Sequence, residues 1–212
     1  MNKNPIFLSY YLSETTPVYG GEKGAIRFEK IRSIEKSDNS NNLKLTFPAH
    51  VGTHIDFPFH FSMDGKKCED YPPAFWVFHK VGYLNCMPKD VMSKLSELDN
   101  DIELLILKTE FGKLRMKEEY WSNQPIIPAN FAQIFKMKFP LLRVFGFDLI
   151  SLTSKLNREE GKSAHINFLI NHNILVLEDM NLENLKEAPS TVLISPLLVK
   201  GADGVPCTVF AF

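Results

Sequence analysis

This chain of 212 residues is poor in the features that most often betray a partner or a compartment. It has three cysteines, Cys68, Cys86 and Cys207, with no Cys-x-x-Cys and no finger-type spacing, so neither a thiolate zinc site nor a disulfide framework organises it. An odd, small number of thiols suits a reducing compartment. Charge of one sign is also missing: 24 basic and 25 acidic side chains leave a formal net charge of -1, which gives no reason to expect nucleic acid or an anionic membrane as partner. No apolar run approaches the roughly 20 residues that span a bilayer. Pro5 interrupts the apolar start, and polarity returns from Tyr10-Tyr11 to Thr16, too early for a signal peptide. Repeats, low-complexity tracts and linkers are absent. The expectation is a cytoplasmic protein that works on a small molecule.

What is present is a globular composition. Hydrophobic residues make up 44% of the chain and include 17 Phe, enough for a substantial core in one domain covering 1–212. Segments 6–11, 25–34 and 43–47 read as strands, with Pro17, Gly20, Gly21 and the polar cluster 38–42 as turns. Further strand is predicted at 74–78 and 81–84, a short helix at 88–98 and a central strand at 102–107. Helices at 128–137 and 163–171 then alternate with strands at 141–147 and 174–177. The chain closes with strands 192–198 and 205–212 about the turn Gly201-Ala202-Asp203-Gly204. A β-rich N-terminal half followed by alternation predicts an α/β protein with a mixed sheet.

The chemistry is concentrated in His50-Val51-Gly52-Thr53-His54-Ile55-Asp56-Phe57-Pro58-Phe59-His60, which holds three of the six histidines and a carboxylate. His50, His54, Asp56 and His60 share one parity, so extended chain turns all four to one face and the β-branched and aromatic residues to the other. A helix would align His50 with His54 but not with Asp56 or His60, and Gly52 and Pro58 oppose it. A straight strand would separate His50 from His60 by about 33 Å, whereas metal ligands lie only about 2.0–2.2 Å from their ion. The segment must therefore bend, at Gly52 and at Pro58. His50, His54 and Asp56 are read as metal ligands, with His60 facing the metal from beyond the bend. His165, read as starting the helix at 163–171, and Glu178, after the strand 174–177, can face the same sheet edge. Their own surroundings in the sequence do not assign them.

The eleven-residue segment matches the His-x-Gly-Thr-His-x-Asp-x-Pro-x-His motif and resembles the cyclase-like metal-dependent hydrolase family, whose best-known members are bacterial kynurenine formamidases, or arylformamidases. The similarity extends to 8–19, to Lys108-Thr109, to 145–151 and to 165–178. The resemblance implies that His50, His54 and Asp56 bind a first metal, that Asp56 and Glu178 bridge to a second, and that His165 completes the second site. It implies His60 as proton donor and acceptor and Tyr19 as an aromatic against the substrate. It further implies a swivelling β/β/α fold, a homo-oligomer such as a dimer, and zinc, with manganese the metal of related ring-opening hydrolases. The stretch from His165 to Glu178 is longer than the family pattern, which predicts an extended loop around Asn171-His172-Asn173.

A set of histidines and carboxylates without thiolates suits catalytic zinc or manganese. The predicted function is hydrolysis of an amide-type C–N bond, in an arylformamide such as N-formylkynurenine or in a cyclic amide, with His60 as general acid and base. The alternatives are a cyclase or dehydratase using the same site and a non-catalytic metal-binding protein. His79 and His172 read as structural or surface residues and Asp148 as a cap. Phe57, Phe59 and Phe61 read as core, while Phe75 and Trp76 are candidates for an aromatic pocket.

Overall fold

The runs Leu104-Leu105-Ile106-Leu107, Val144-Phe145-Gly146-Phe147 and Leu175-Val176-Leu177 are apolar at every position, a pattern suited to strands covered on both faces. All three are buried strands in the computed structural model, which describes residues 4–212. In chain order the elements are β1 (Ile6–Phe7), β2 (Arg27–Arg32), β3 (Asn42–Thr46), β4 (His54–Asp56), β5 (Val77–Phe78), β6 (Val81–Asn85), α1 (Val91–Lys94) and β7 (Leu104–Lys108). There follow α2 (Glu119–Ser122), α3 (Phe131–Lys138), β8 (Val144–Phe147), α4 (Arg158–His165), β9 (Leu175–Glu178), β10 (Val192–Pro196) and β11 (Gly204–Ala211). The architecture is α/β with one large mixed sheet, ordered β5-β10-β11-β4-β9-β8-β7-β6, and β1 also pairs with β11.

Strands β6, β7, β8 and β9 are parallel, joined by helical crossovers, whereas β4, β11, β10 and β5 continue the sheet antiparallel. The short strand β4 lies where the two regimes meet, with β9 on one side and β11 on the other. Phe135 of α3, Phe145 of β8 and Phe168 pack as one aromatic group, with ring centroids 5.2 Å apart for two of the pairs and 6.1 Å for the third. Among the described residues the β2–β3 hairpin pairs with no further strand, and nearly all of its residues are exposed.

Several elements differ from the sequence reading. Strand β1 covers two residues rather than 6–11, because the Tyr10 amide turns to donate to Thr53 Oγ1 at 3.1 Å. Pro73–Trp76 forms a 3-10 turn, as the prolines favour, and only Val77–Phe78 is strand. Strand β7 is next to the edge strand β6 rather than central. The helix expected at 163–171 begins at Arg158, where Asn157 Oδ1 accepts the Glu160 amide at 3.1 Å. Its charged first turn carries no apolar periodicity, which hid the start. The helix continues as π-helix over Ile166–Asn171, so the long stretch before Glu178 is wound helix and not an extended loop. No helix among the described residues is long and apolar enough to cross a membrane.

Candidate metal centre

The sheet register builds the centre of the site. His54 and Asp56, two apart on β4, face the same way, and His54 stands directly opposite Glu178 on β9. Both carboxylates and His54 are buried. Asp56 Oδ1 lies 3.4 Å from His54 Nε2, and Glu178 Oε2 lies 3.3 Å from the same nitrogen.

His50 returns to this cluster through the turn at Gly52, whose φ of 59° is in the left-handed region and where a side chain would meet Leu12. The expected bend is therefore present, and it places His50 Nδ1 2.8 Å from Asp56 Oδ1. His165 arrives from the far side as the last residue of α4, not as a helix start. Its Nε2 is 3.5 Å from Asp56 Oδ2 and 3.5 Å from Glu178 Oε1. Gly161 makes this approach possible, because a side chain there would collide with Thr153. Each carboxylate thus offers one oxygen to His54 and the other to His165.

Hydrogen bonds on the outer side of the rings assign the tautomers. His54 Nδ1 donates to the Gly52 carbonyl at 2.8 Å and His165 Nδ1 to the Gly161 carbonyl at 2.9 Å, and a carbonyl can only accept. The inward Nε2 lone pairs of both rings therefore converge on carboxylate oxygens, an arrangement that needs a proton or a cation between them. Separations of 2.8–3.5 Å between the converging atoms are close to the roughly 3.4 Å edge of a tetrahedron with metal–ligand bonds of about 2.1 Å. The donor set fits a divalent metal, with His50, His54, Asp56 and Glu178 able to hold one ion and Asp56, Glu178 and His165 a second. Burial favours neutral rings, yet Asp56 and Asp203 raise His50 to about 9, and Asp56 and Glu178 raise His165 to about 10. Burial and the neighbouring Asp56 push the Glu178 carboxyl up, but the His165 and His54 contacts prevail and lower it.

His60 lies in the 3-10 turn Pro58–His60, beyond the bend as expected, with its ring centroid 4.1 Å from that of His50. Its Nδ1 is 2.8 Å from Asp203 Oδ2, and the same oxygen is 2.9 Å from His50 Nε2. The cavity over the cluster has a volume of about 270 Å³, and Tyr19, Val18, Phe61 and Ile150 line it together with the clustered side chains. Phe61 packs against the core as expected and also stacks on His165, with centroids 4.8 Å apart at 21°, so it forms a cavity wall as well. Phe75 and Trp76 instead pack with Phe57 and Tyr71, away from the cavity.

Two supporting features were not read from the sequence. Asp203 appeared only as part of a turn, far along the chain from its partners. Asp179, next to Glu178, adopts a left-handed φ of 49°, a conformation that costs a non-glycine residue on the order of 1 to 3 kcal/mol. Arg115 clamps its carboxylate, Nε to Oδ1 at 2.9 Å and Nη2 to Oδ2 at 2.7 Å, and the Tyr120 hydroxyl donates to it at 2.6 Å. His79 is exposed, and His172 follows the π-helix outside the cluster. Asp148 accepts the Thr109 amide and hydroxyl at 2.7 and 2.6 Å, tying down the turn after β7.

A buried imidazole–carboxylate cluster on a mixed sheet, opening into a small cavity beside a further histidine, defines the class of metal-dependent hydrolases. Residues 6–153 match the family described as "Putative cyclase", well over half of the chain, and the chain belongs to that family. It is 31% identical over 183 residues to a kynurenine formamidase of Bacillus anthracis, covering 84% of this chain and 83% of that one. Against a kynurenine formamidase of Bacillus cereus it is 32% identical over 177 residues, covering 81% and 80%. The fold is shared with isatin hydrolase A from Labrenzia aggregata, at a TM-score of 0.80 and 18% identity over 98% of this chain and 93% of that one. It is also shared with a potential metal-dependent hydrolase with cyclase activity, at a TM-score of 0.75 and 19% identity over 98% and 96% of the two chains.

Proposed function

We propose that the protein hydrolyses an amide-type C–N bond in a small aromatic substrate, an arylformamide such as that of the kynurenine formamidases or a cyclic amide such as isatin. The observation that carries this reading is the pair Asp56 and Glu178, each turned by one oxygen to His54 and by the other to His165, with His60 at the rim. His50, His54 and Asp56 would hold a first metal, and Glu178 and His165, with Asp56 shared, are the residues that would hold a second. Zinc suits the nitrogen and oxygen donors, and manganese is the other candidate. When bound, such a cation polarises a carbonyl and lowers the pKa of water to about 7.

The chain's own residues do the rest. His60 Nε2, the ring atom left free by the Asp203 contact, takes a proton as water attacks the carbonyl carbon and returns it to the departing nitrogen. Tyr19 and Phe61 flank the aryl group, and a cavity of about 270 Å³ lies at the small end of ligand sites, so the substrate is compact. His60 supports catalysis over a purely metal-storing role, since a storage site has no use for an acid and base beside it.

The active form is a homodimer. Two-stranded hairpins are marginal alone, and β2–β3 exposes Ile31, Leu43 and Leu45 about half each while its base packs on Val18, Ile26 and Val51 beside the cavity. A second copy covering this arm would stabilise it. The cysteines Cys68, Cys86 and Cys207 are all free, which suits the cytoplasm.

The test is to assay zinc- and manganese-loaded protein against a panel of aryl formamides, lactams and lactones, following both substrate loss and product identity. Cleavage of a formamide or lactam to the free amine is the expected result. Ring closure or dehydration without net uptake of water would replace hydrolysis by cyclase chemistry at the same site.

A further inference from the structure

We infer that Asp203 is a positioning residue for this hydrolysis, one carboxylate oxygen of which fixes both the acid/base ring of His60 and the metal-side ring of His50. The inference rests on the hydrolase reading above and adds a residue to it. Asp203 Oδ2 stands 2.8 Å from His60 Nδ1 and 2.9 Å from His50 Nε2. A carboxylate only accepts, so both ring nitrogens facing it carry protons. His60 is thereby held with Nε2 as its unprotonated atom, free to take and return a proton. His50 is held with Nδ1 toward Asp56. A carboxylate, histidine and metal chain of this kind orients a ligand ring and raises its basicity. The unusual element is that the same oxygen serves a second ring which is not placed among the ligands, so the acid/base group is registered against the metal site by one atom.

The backbone holds Asp203 for this purpose. Its carbonyl accepts the Phe57 amide at 2.9 Å, which ties the turn before β11 to the segment that leads into His60. Gly201 turns the chain with φ +79°, and a side chain at Gly204 would run into the His50 ring. Only glycine at 204 lets the ring lie over β11 within reach of Asp203. The carboxylate is about 38% exposed, so the turn does not bury a charge for packing. Burial raises its pKa, but the His50 and His60 hydrogen bonds outweigh this and lower it.

The experiment combines tautomer, metal content and turnover. Nitrogen-15 shifts of the wild-type metal-loaded protein should show His60 as the Nδ1–H tautomer, and Asp203→Asn should change that signal. Asp203→Asn should keep its metal and lower kcat on a formamide by about 10- to 100-fold with KM little changed, the size of loss seen when an outer carboxylate partner is removed. The loss should shrink on an activated ester whose leaving group departs without protonation. In a His60→Ala background the same substitution should cost clearly less than in the wild type, the remainder being its effect through the His50 ring. An Nε2–H tautomer in the wild type would overturn the inference. So would loss of metal in step with activity, which would make Asp203 a ligand, or fully additive losses. If the wild type turns over nothing in the substrate panel, the hydrolase reading falls, while the tautomer still decides the placement of His60 by Asp203.

Discussion

Glu178 stands directly across the β4–β9 pairing from His54, its Oε2 3.3 Å from His54 Nε2, and its other oxygen accepts the Leu152 amide at 2.6 Å. The Leu152 amide thus fixes the Glu178 carboxylate on one side and the sheet register fixes it on the other. His54→Ala or Glu178→Gln should remove bound metal and with it activity, whereas His79→Ala and His172→Ala should keep both. Elemental analysis of protein purified without added metal, alongside a thermal shift with zinc or manganese, reads the difference. Loss of metal in His172→Ala equal to that in His54→Ala would displace His165 from the ligand set.

Gly161 sets how closely α4 carries His165 to the proposed second metal position, because a side chain there would meet Thr153. A methyl group there meets Thr153, and relief requires α4 to move away from the loop that also receives His165 Nδ1. Gly161→Ala should reduce the metal stoichiometry from two to one while leaving the ion held by His50 and His54. Retention of two ions, measured by titration with a colorimetric chelator, would separate the helix placement from the second site.

Protons and metal compete for the same atoms. With His50 raised to about 9 and His165 to about 10, both rings are protonated at pH 7 in protein stripped of metal, so metal uptake should release their protons. Titration calorimetry in buffers of different ionisation enthalpy measures this release, and affinity should rise with pH up to those values. The stripped protein should show the opposite slope. A histidine raised above its unfolded value of about 6.5 contributes stability that is complete below that pH and is lost as pH rises through the folded value. Thermal midpoints of stripped protein should accordingly fall between pH 6.5 and the range 9 to 10.

The exposed arm gives a test of assembly. Leu43→Lys with Leu45→Lys places charges on the face of β3 that a second copy is proposed to cover. Light scattering should show the dimer mass halved in the double variant. An unchanged mass would move the interface elsewhere.

The sequence exposes the site where its logic is local. His54 and Asp56 follow the two-residue strand period, and Gly52 and Pro58 mark the bends that bring His50 and His60 back, so one short segment carries most of the cluster. Glu178 and His165 need the sheet register and the helix packing, and in the sequence they are visible only through the resemblance to the family. Asp203 lies 143 and 153 positions from its two partners, in a turn whose Gly-Ala-Asp-Gly composition already had a sufficient explanation. Phe61 and Trp76 show the same limit in reverse. Both are aromatic beside turns and both pack against the core, and only the tertiary packing gives Phe61 a face on the cavity as well. The start of α4 was hidden because Arg158-Glu159-Glu160 is stabilised by its cap and charge, not by an apolar face.

The buried cluster is proposed to hold the metal by which an amide bond is cleaved. The most direct measurement strips the protein with a chelator, readds zinc or manganese in steps, and follows release of free amine from an aryl formamide at each step. Activity should vanish on stripping and return in proportion to the metal restored, and no return should occur with Asp56→Asn. Full activity in the stripped protein, or restored metal at the cluster with no cleavage of formamide, lactam or lactone, would contradict the claim.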